Sequence, residues 1–272
     1  MNRILLALAV TAAALACAAP ATAAKKKSLY LSLGDSLAWS FTKLADGAGA
    51  KSANGYTELL AGKRKVRNLA CPGEDTRTFI EGGHCGWVPE GNSQLDRAVR
   101  YLENKRGRVA FVTLSIGGNN FTPCARGGAS SVDLDCVAKG MADLEADLPR
   151  IYRRLRKAAG RRVRIATATQ YNPYLAFYLQ GTDYHQLAGL TTVLARQVNK
   201  IIREAAKSRK ARLRVADAFA AFEAGAPVPE AVETLCAHSF MCDPAPVGPD
   251  IHPTDSGYAA IAEAFRRALR LR

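Results

Sequence analysis

The chain of 272 residues carries 38 Lys and Arg against 24 Asp and Glu, a formal charge of +14. Its basic residues cluster in KKK from 25, GKRKVR from 62, RIYRRLRK from 150 and RRALRLR at the C-terminus. No nucleic-acid motif accompanies them, so the charge reads as solvated helix faces, or as attraction to an anionic membrane or cell-wall surface, and not as nucleic-acid binding.

The first 23 residues have the form of a secretory signal: Arg3, the short apolar run ILLALAVTAAALA, and ATA before Ala24. That run is too short and alanine-rich for a comfortable transmembrane span. Cys17 raises lipoprotein anchoring as the lesser alternative, because Ala14 stands where such signals carry a larger aliphatic residue. Secretion or periplasmic export is therefore expected, with residues 24–272 forming one domain long enough for a full α/β core. The six cysteines after residue 23 form an even set, as an oxidising compartment favours. Their spacing suggests three local pairs: Cys71 with Cys85, Cys124 with Cys136, and Cys236 with Cys242.

From residue 28 onward, strand-like and helix-like patterns alternate. SLYLSL (28–33), KVRNLA (65–70), VAFVTLSI (109–116), VRIATAT (163–169) and LRVADA (213–218) are short and rich in Val, Ile and Leu, as strands covered on both faces are. Between them, Leu134, Val137, Met141, Leu144, Leu148, Ile151 and Leu155 recur at helical spacing. Leu187, Leu190, Leu194, Val198, Ile201 and Ile202 do the same, and the last helix presents Tyr258, Ile261, Phe265 and Leu269 after caps at 254–256. Such alternation implies right-handed crossovers and a five-stranded parallel sheet in a three-layer α/β/α sandwich of flavodoxin-like form.

Ligands of an open parallel sheet bind beyond the carboxyl ends of its strands. There the chain places Ser36 in GDSL, Gly73 in ACPGEDT, Asn119 in GGNNF, and the segment QYNPYLAFYL. A serine hydroxyl attacks only if a base takes its proton. Of the four histidines, His84 and His238 sit beside cysteines, and His185 opens a helix. The cluster CAHSFMC offers too few ligands for structural zinc, and export favours a disulfide there. His252, in GPDIHPTDSGY just before the final helix, is the candidate base.

GDSL at 34–37, Gly73 in NLACPGEDT, Asn119 in GGNN and His252 in DIHP follow the order of the four blocks of the SGNH (GDSL-type) hydrolases. The chain resembles that family, in its secreted bacterial branch, across the whole length after the signal. The resemblance implies the SGNH hydrolase fold and an esterase or lipase using neither metal nor organic cofactor. Ser36 would be the nucleophile and His252 the base, with an oxyanion hole from the N–H groups of Ser36 and Gly73 and the amide of Asn119. Its usual acid stands three residues before the histidine, where this chain has Pro249. Two arrangements stay open: Asp250 orients the imidazole, or a backbone carbonyl does so in a serine–histidine dyad. Asn120 stands where the family often has Asp and is expected to support its loop; Asp35 is expected to be structural. The Gly-x-Ser-x-Gly elbow of the α/β-hydrolases is not completed, since Ala38 ends GDSLA.

Substrate is less legible. Trp39, Phe41, Trp87, Tyr174, Phe177 and Tyr178 are candidates for an acyl pocket. A small-molecule or lipid ester is the expected substrate, with carbohydrate O-deacetylation or phospholipid hydrolysis as alternatives on the same site. A secreted binding module without turnover is the competing class.

Overall fold

The computed structural model describes residues 28–87, 89, 92–125 and 128–271; the expected signal, with Cys17, lies outside them. In chain order the elements are β1 (Leu29–Gly34), α1 (Ser36–Trp39), β2 (Phe41–Lys43), β3 (Gly49–Lys51), α2 (Tyr56–Ala61) and β4 (Lys65–Asn68). Then come α3 (Thr76–Glu81), α4 (Gln94–Asn104), β5 (Val109–Ser115), α5 (Leu134–Ala159), β6 (Arg164–Ala168) and α6 (His185–Lys207). β7 (Arg214–Ala216), α7 (Ala218–Ala221), α8 (Val228–His238) and α9 (Asp255–Leu269) complete the chain.

Five strands form one sheet in the order β4-β1-β5-β6-β7, and every pair in it is parallel. This is the five-stranded α/β architecture expected from the sequence. The strand alternation decides which layer each side chain enters. Leu29, Leu31 and Leu33 pack with Leu95 of α4, Leu148 of α5 and Ile202 of α6 on one face. Tyr30, with Phe111 of β5, faces Tyr56 of α2, Leu235 of α8 and Phe265 of α9 on the other. Both faces are thus sealed, which is why these strands read as nearly continuous apolar runs. Two buried hydroxyl pairs tie the layers, Tyr30 Oη to Thr113 Oγ1 at 2.8 Å within the sheet and Ser32 Oγ to Thr57 Oγ1 of α2 at 2.8 Å.

The antiparallel pair β2–β3 lies outside this pattern. FTKLADGAGAK has neither apolar alternation nor a standard two-residue hairpin turn, so no local signal announces it.

Candidate active site

Gly34 ends β1 at φ +126°, and a Cβ there would lie 1.7 Å from the carbonyl oxygen of Ser115 on β5. Only glycine fits so close an approach in that conformation. The chain then turns at Asp35, whose side chain caps α1 by accepting the Leu37 N–H at 3.1 Å. Ser36 is the first residue of α1, held directly beyond β1 and only 8% exposed. Asp35 therefore shapes the turn, and its own carboxyl is pushed up to about 7 by burial, partly offset by hydrogen bonds from the Leu37 backbone.

After β4, Gly73 adopts φ +83°, the left-handed region that favours glycine. Its loop is stapled by the disulfide Cys71–Cys85, and Asp75 begins α3 with a reciprocal cap to Thr78. After β5, Asn119 Nδ2 donates to the Glu74 carbonyl at 3.0 Å, tying the third strand end to the second. Asn120 grips the same region from the other side, accepting the Thr76 N–H at 3.2 Å and donating to Thr76 Oγ1 at 2.9 Å. The disulfide Cys124–Cys136 joins the following 3-10 turn to the start of α5.

The loop 248–253 brings the imidazole across. Phe240 N donates to His252 O at 3.0 Å and Asp250 N to Phe240 O at 3.0 Å, so the loop pairs with a segment closed by Cys236–Cys242. Tyr171 Oη hydrogen-bonds the Ile251 carbonyl, and Thr254 caps α9 immediately beyond. His252 Nε2 stands 2.8 Å from Ser36 Oγ, and His252 Nδ1 stands 2.6 Å from Asp250 Oδ1. The same Asp250 oxygen accepts the His252 backbone N–H at 2.9 Å, fixing the carboxylate against the residue it faces. Hydroxyl, imidazole and carboxylate form one hydrogen-bonded row.

Two neighbours come from β2: Lys43, which no sequence signal marked, and Phe41, an acyl-pocket candidate that instead covers the imidazole. Lys43 Nζ lies 3.9 Å from Asp250 Oδ2, and the Phe41 ring packs on the His252 ring with centroids 4.2 Å apart. Burial pushes the Asp250 carboxyl up, but the hydrogen bonds and charge of His252, with Lys43, hold it below the usual carboxylate range. The row thus keeps its anion at neutral pH.

A cavity open to solvent lies beside the row, with Ser36, Asn119 and His252 in its wall. Most of the remaining wall is apolar, including Val137 and Met141 of α5 and Leu187, Leu194 and Val198 of α6. Tyr174 and Phe177 also line it; the other four aromatic candidates lie outside that wall. Phe41 covers the imidazole, Trp39 packs near Phe41, Tyr178 stacks on His185, and Trp87 is exposed beside Arg97. The remaining histidines serve local contacts: His84 Nε2 meets Pro72 O at 2.9 Å, and His238 Nδ1 meets Ser256 Oγ at 3.0 Å. Cys71, Glu74 and Cys85 gather closely enough to suggest a metal, but the two sulfurs are bonded to each other and offer no thiolate.

Fold and site together define an ester-hydrolysing enzyme. The chain belongs to the GDSL-like lipase/acylhydrolase family, whose sequence profile matches residues 32–260. No curated protein matches it in sequence. Among solved structures it is similar to protein YxiM from Bacillus subtilis, at 15% identity and TM-score 0.53, over 90% of this chain and 56% of that one. It spans little more than half of that protein. It is also similar to Axe2, an acetylxylan esterase from Geobacillus stearothermophilus, at 17% identity and TM-score 0.50, over 92% of this chain and 97% of that one. A catalytic variant of Axe2 gives 16% identity and TM-score 0.52, over 91% and 96%. At these identities the likeness is one of fold.

Proposed function

We propose that the protein is an exported serine esterase that works through an acyl-enzyme and prefers extended apolar acyl groups. The observation that carries this reading is the row Ser36–His252–Asp250 in contact with a largely apolar cavity. In the first half-reaction Ser36 Oγ attacks the ester carbonyl carbon while His252 Nε2 takes its proton. The tetrahedral intermediate collapses, the C–O bond to the alcohol breaks, and His252 returns the proton to that leaving oxygen. Water then repeats the sequence on the acyl-enzyme, releasing the carboxylic acid and restoring Ser36. Asp250 holds the Nδ1–H and offsets the positive charge that the ring carries in both transition states.

The oxyanion calls for donors aimed at it, and the N–H groups of Ser36 and Gly73 with the Asn119 amide take that role in this proposal. Asn119→Ala is expected to lower kcat about a hundred- to a thousandfold with little change in KM, as loss of one such donor does. Steady-state kinetics on a soluble ester check it; near-parental kcat removes Asn119 from the site.

Three disulfides support export to an oxidising compartment. The acyl preference rests on the cavity wall, where burying a methylene is worth about 0.8 kcal/mol at most, or roughly fourfold. A panel of p-nitrophenyl esters from acetate to octanoate should therefore show kcat/KM rising about two- to fourfold per methylene. A maximum at acetate, with turnover of acetylated sugars, would instead indicate a carbohydrate deacetylase. Hydrolysis of a phospholipid alongside the panel tests whether a lipid headgroup is accepted as leaving group.

A further inference from the structure

Gln94 opens α4, far from the nucleophile in sequence, yet it is completely buried against the end of β1. Its side-chain amide grips both peptide groups of Gly34: Oε1 accepts the Gly34 N–H at 2.7 Å, and Nε2 donates to the Gly34 carbonyl at 2.9 Å. The same carbonyl accepts the Cys71 N–H at 2.9 Å. Gln94 Nε2 also hydrogen-bonds the carboxyl of Glu74, which is 1% exposed. Through its own backbone carbonyl, Glu74 receives the amide of Asn119.

Glu74 is therefore a junction. Gly34 precedes Ser36 by two residues, Gly73 adjoins Glu74, and Asn119 bonds to it. One buried carboxyl and one buried carboxamide join the ends of β1 and β4, and the backbone carbonyl of the same glutamate holds the Asn119 segment beyond β5. The charged groups facing this carboxyl are Asp35 and Asp75, with Cys85 Sγ 3.4 Å away, while His84 of the Cys71–Cys85 loop bonds the Pro72 carbonyl. Among the described residues, no lysine or arginine contributes to its electrostatics. Burial pushes it up to about 8; the Gln94 hydrogen bond opposes that rise, and the charges of Asp35 and Asp75 add to it.

We propose that Glu74 and Gln94 are positioning residues, which hold the Ser36, Gly73 and Asn119 segments in one frame while the Glu74 carboxyl is protonated. Loss of that proton places an unpaired anion in the frame, beside Asp35 and Asp75. The donors then shift, and turnover falls. The proposal rests on the acyl-enzyme reading, because the frame matters only if those three segments serve ester hydrolysis.

The test is the pH profile of kcat for p-nitrophenyl butyrate hydrolysis by the disulfide-intact protein, from pH 6 to 10 with the uncatalysed rate subtracted. Parent, Glu74→Gln, Glu74→Ala and Gln94→Ala are compared. The parent should decline on the alkaline side with a midpoint at about 8, where burial places the Glu74 carboxyl. Glu74→Ala and Gln94→Ala should lose about tenfold or more in kcat with KM nearly unchanged, as small misplacements of catalytic groups do. Glu74→Gln, uncharged and the same size, should recover most of what Glu74→Ala loses and abolish the alkaline decline. A merely structural glutamate would not move that limb. If the alanine variants do not fold, the Glu74→Gln profile alone decides. An unchanged alkaline limb in Glu74→Gln, or parental kcat in a folded Glu74→Ala, overturns the proposal while the parent still hydrolyses ester. Failure of the parent to hydrolyse any ester overturns the acyl-enzyme reading itself.

Discussion

Ser36→Ala is expected to lower kcat on the order of 10⁵- to 10⁶-fold, the scale seen when a serine hydrolase loses its nucleophile. The loss follows from covalent chemistry: without Oγ no acyl-enzyme forms, and the remaining donors stabilise only direct attack by water. KM should change little, because the cavity wall remains in place. Stability should change by about 1 kcal/mol, since the variant removes one part-buried hydrogen bond, to His252, and keeps the Asp35 cap of α1. Thermal unfolding of the variant against the parent separates a chemical defect from a folding one. Retention of more than a few per cent of parental turnover in the purified variant would remove Ser36 from the chemistry.

Asp250→Asn should cost about 10³- to 10⁴-fold in kcat, the penalty for giving a catalytic imidazole the wrong tautomer and no counter-charge. Asp250 Oδ1 accepts from both the backbone N–H and Nδ1 of His252, so an asparagine amide would place a donor or a neutral acceptor where an anion belongs. Lys43, 3.9 Å from the other oxygen, would lose its partner as well. Activity close to the parent's would instead favour a dyad steered by backbone. The stability effect has a defined sign. Because the folded carboxyl titrates below its ordinary value, the charged form stabilises the fold above the usual carboxylate range and that contribution disappears as pH falls through the depressed value. Parent and Asp250→Asn should therefore differ in unfolding midpoint at pH 7 and converge as the pH falls through the depressed range of the Asp250 carboxyl.

Much of the architecture was legible because the parallel strands are buried on both faces and their apolar runs stop where the sheet stops. SLYLSL and VAFVTLSI fall within a residue of β1 and β5. The turn that presents Ser36 was legible too, in GDSL at the end of an apolar run, and the approach of Gly34 to Ser115 accounts for its glycine. The helical stripes were harder to interpret. Leu144, Leu148, Ile151 and Ile202 enter the core, whereas Val137, Met141, Leu187 and Leu194, on the same stripes, line the cavity. Periodicity marks an apolar face and says nothing of whether a helix or a substrate will cover it.

What could not be read is what depends on remote contacts. Phe41 and Lys43 reach His252 and Asp250 through a hairpin with no sequence signature. Gln94 looks like an ordinary residue at the start of a helix until the fold sets it against Gly34 and Glu74. The choice between Asp250 and a backbone carbonyl needed the loop geometry, because the local sequence, with Pro249 at the usual acid position, leaves both open.

The central claim is that Ser36 becomes acylated. Its most direct measurement is peptide mapping by mass spectrometry after treatment with a serine-reactive fluorophosphonate. The account predicts one stable adduct, on the peptide containing Ser36, formed in step with loss of esterase activity and slowed severely in His252→Ala. An adduct on another residue, or complete labelling of Ser36 with turnover intact, would contradict it.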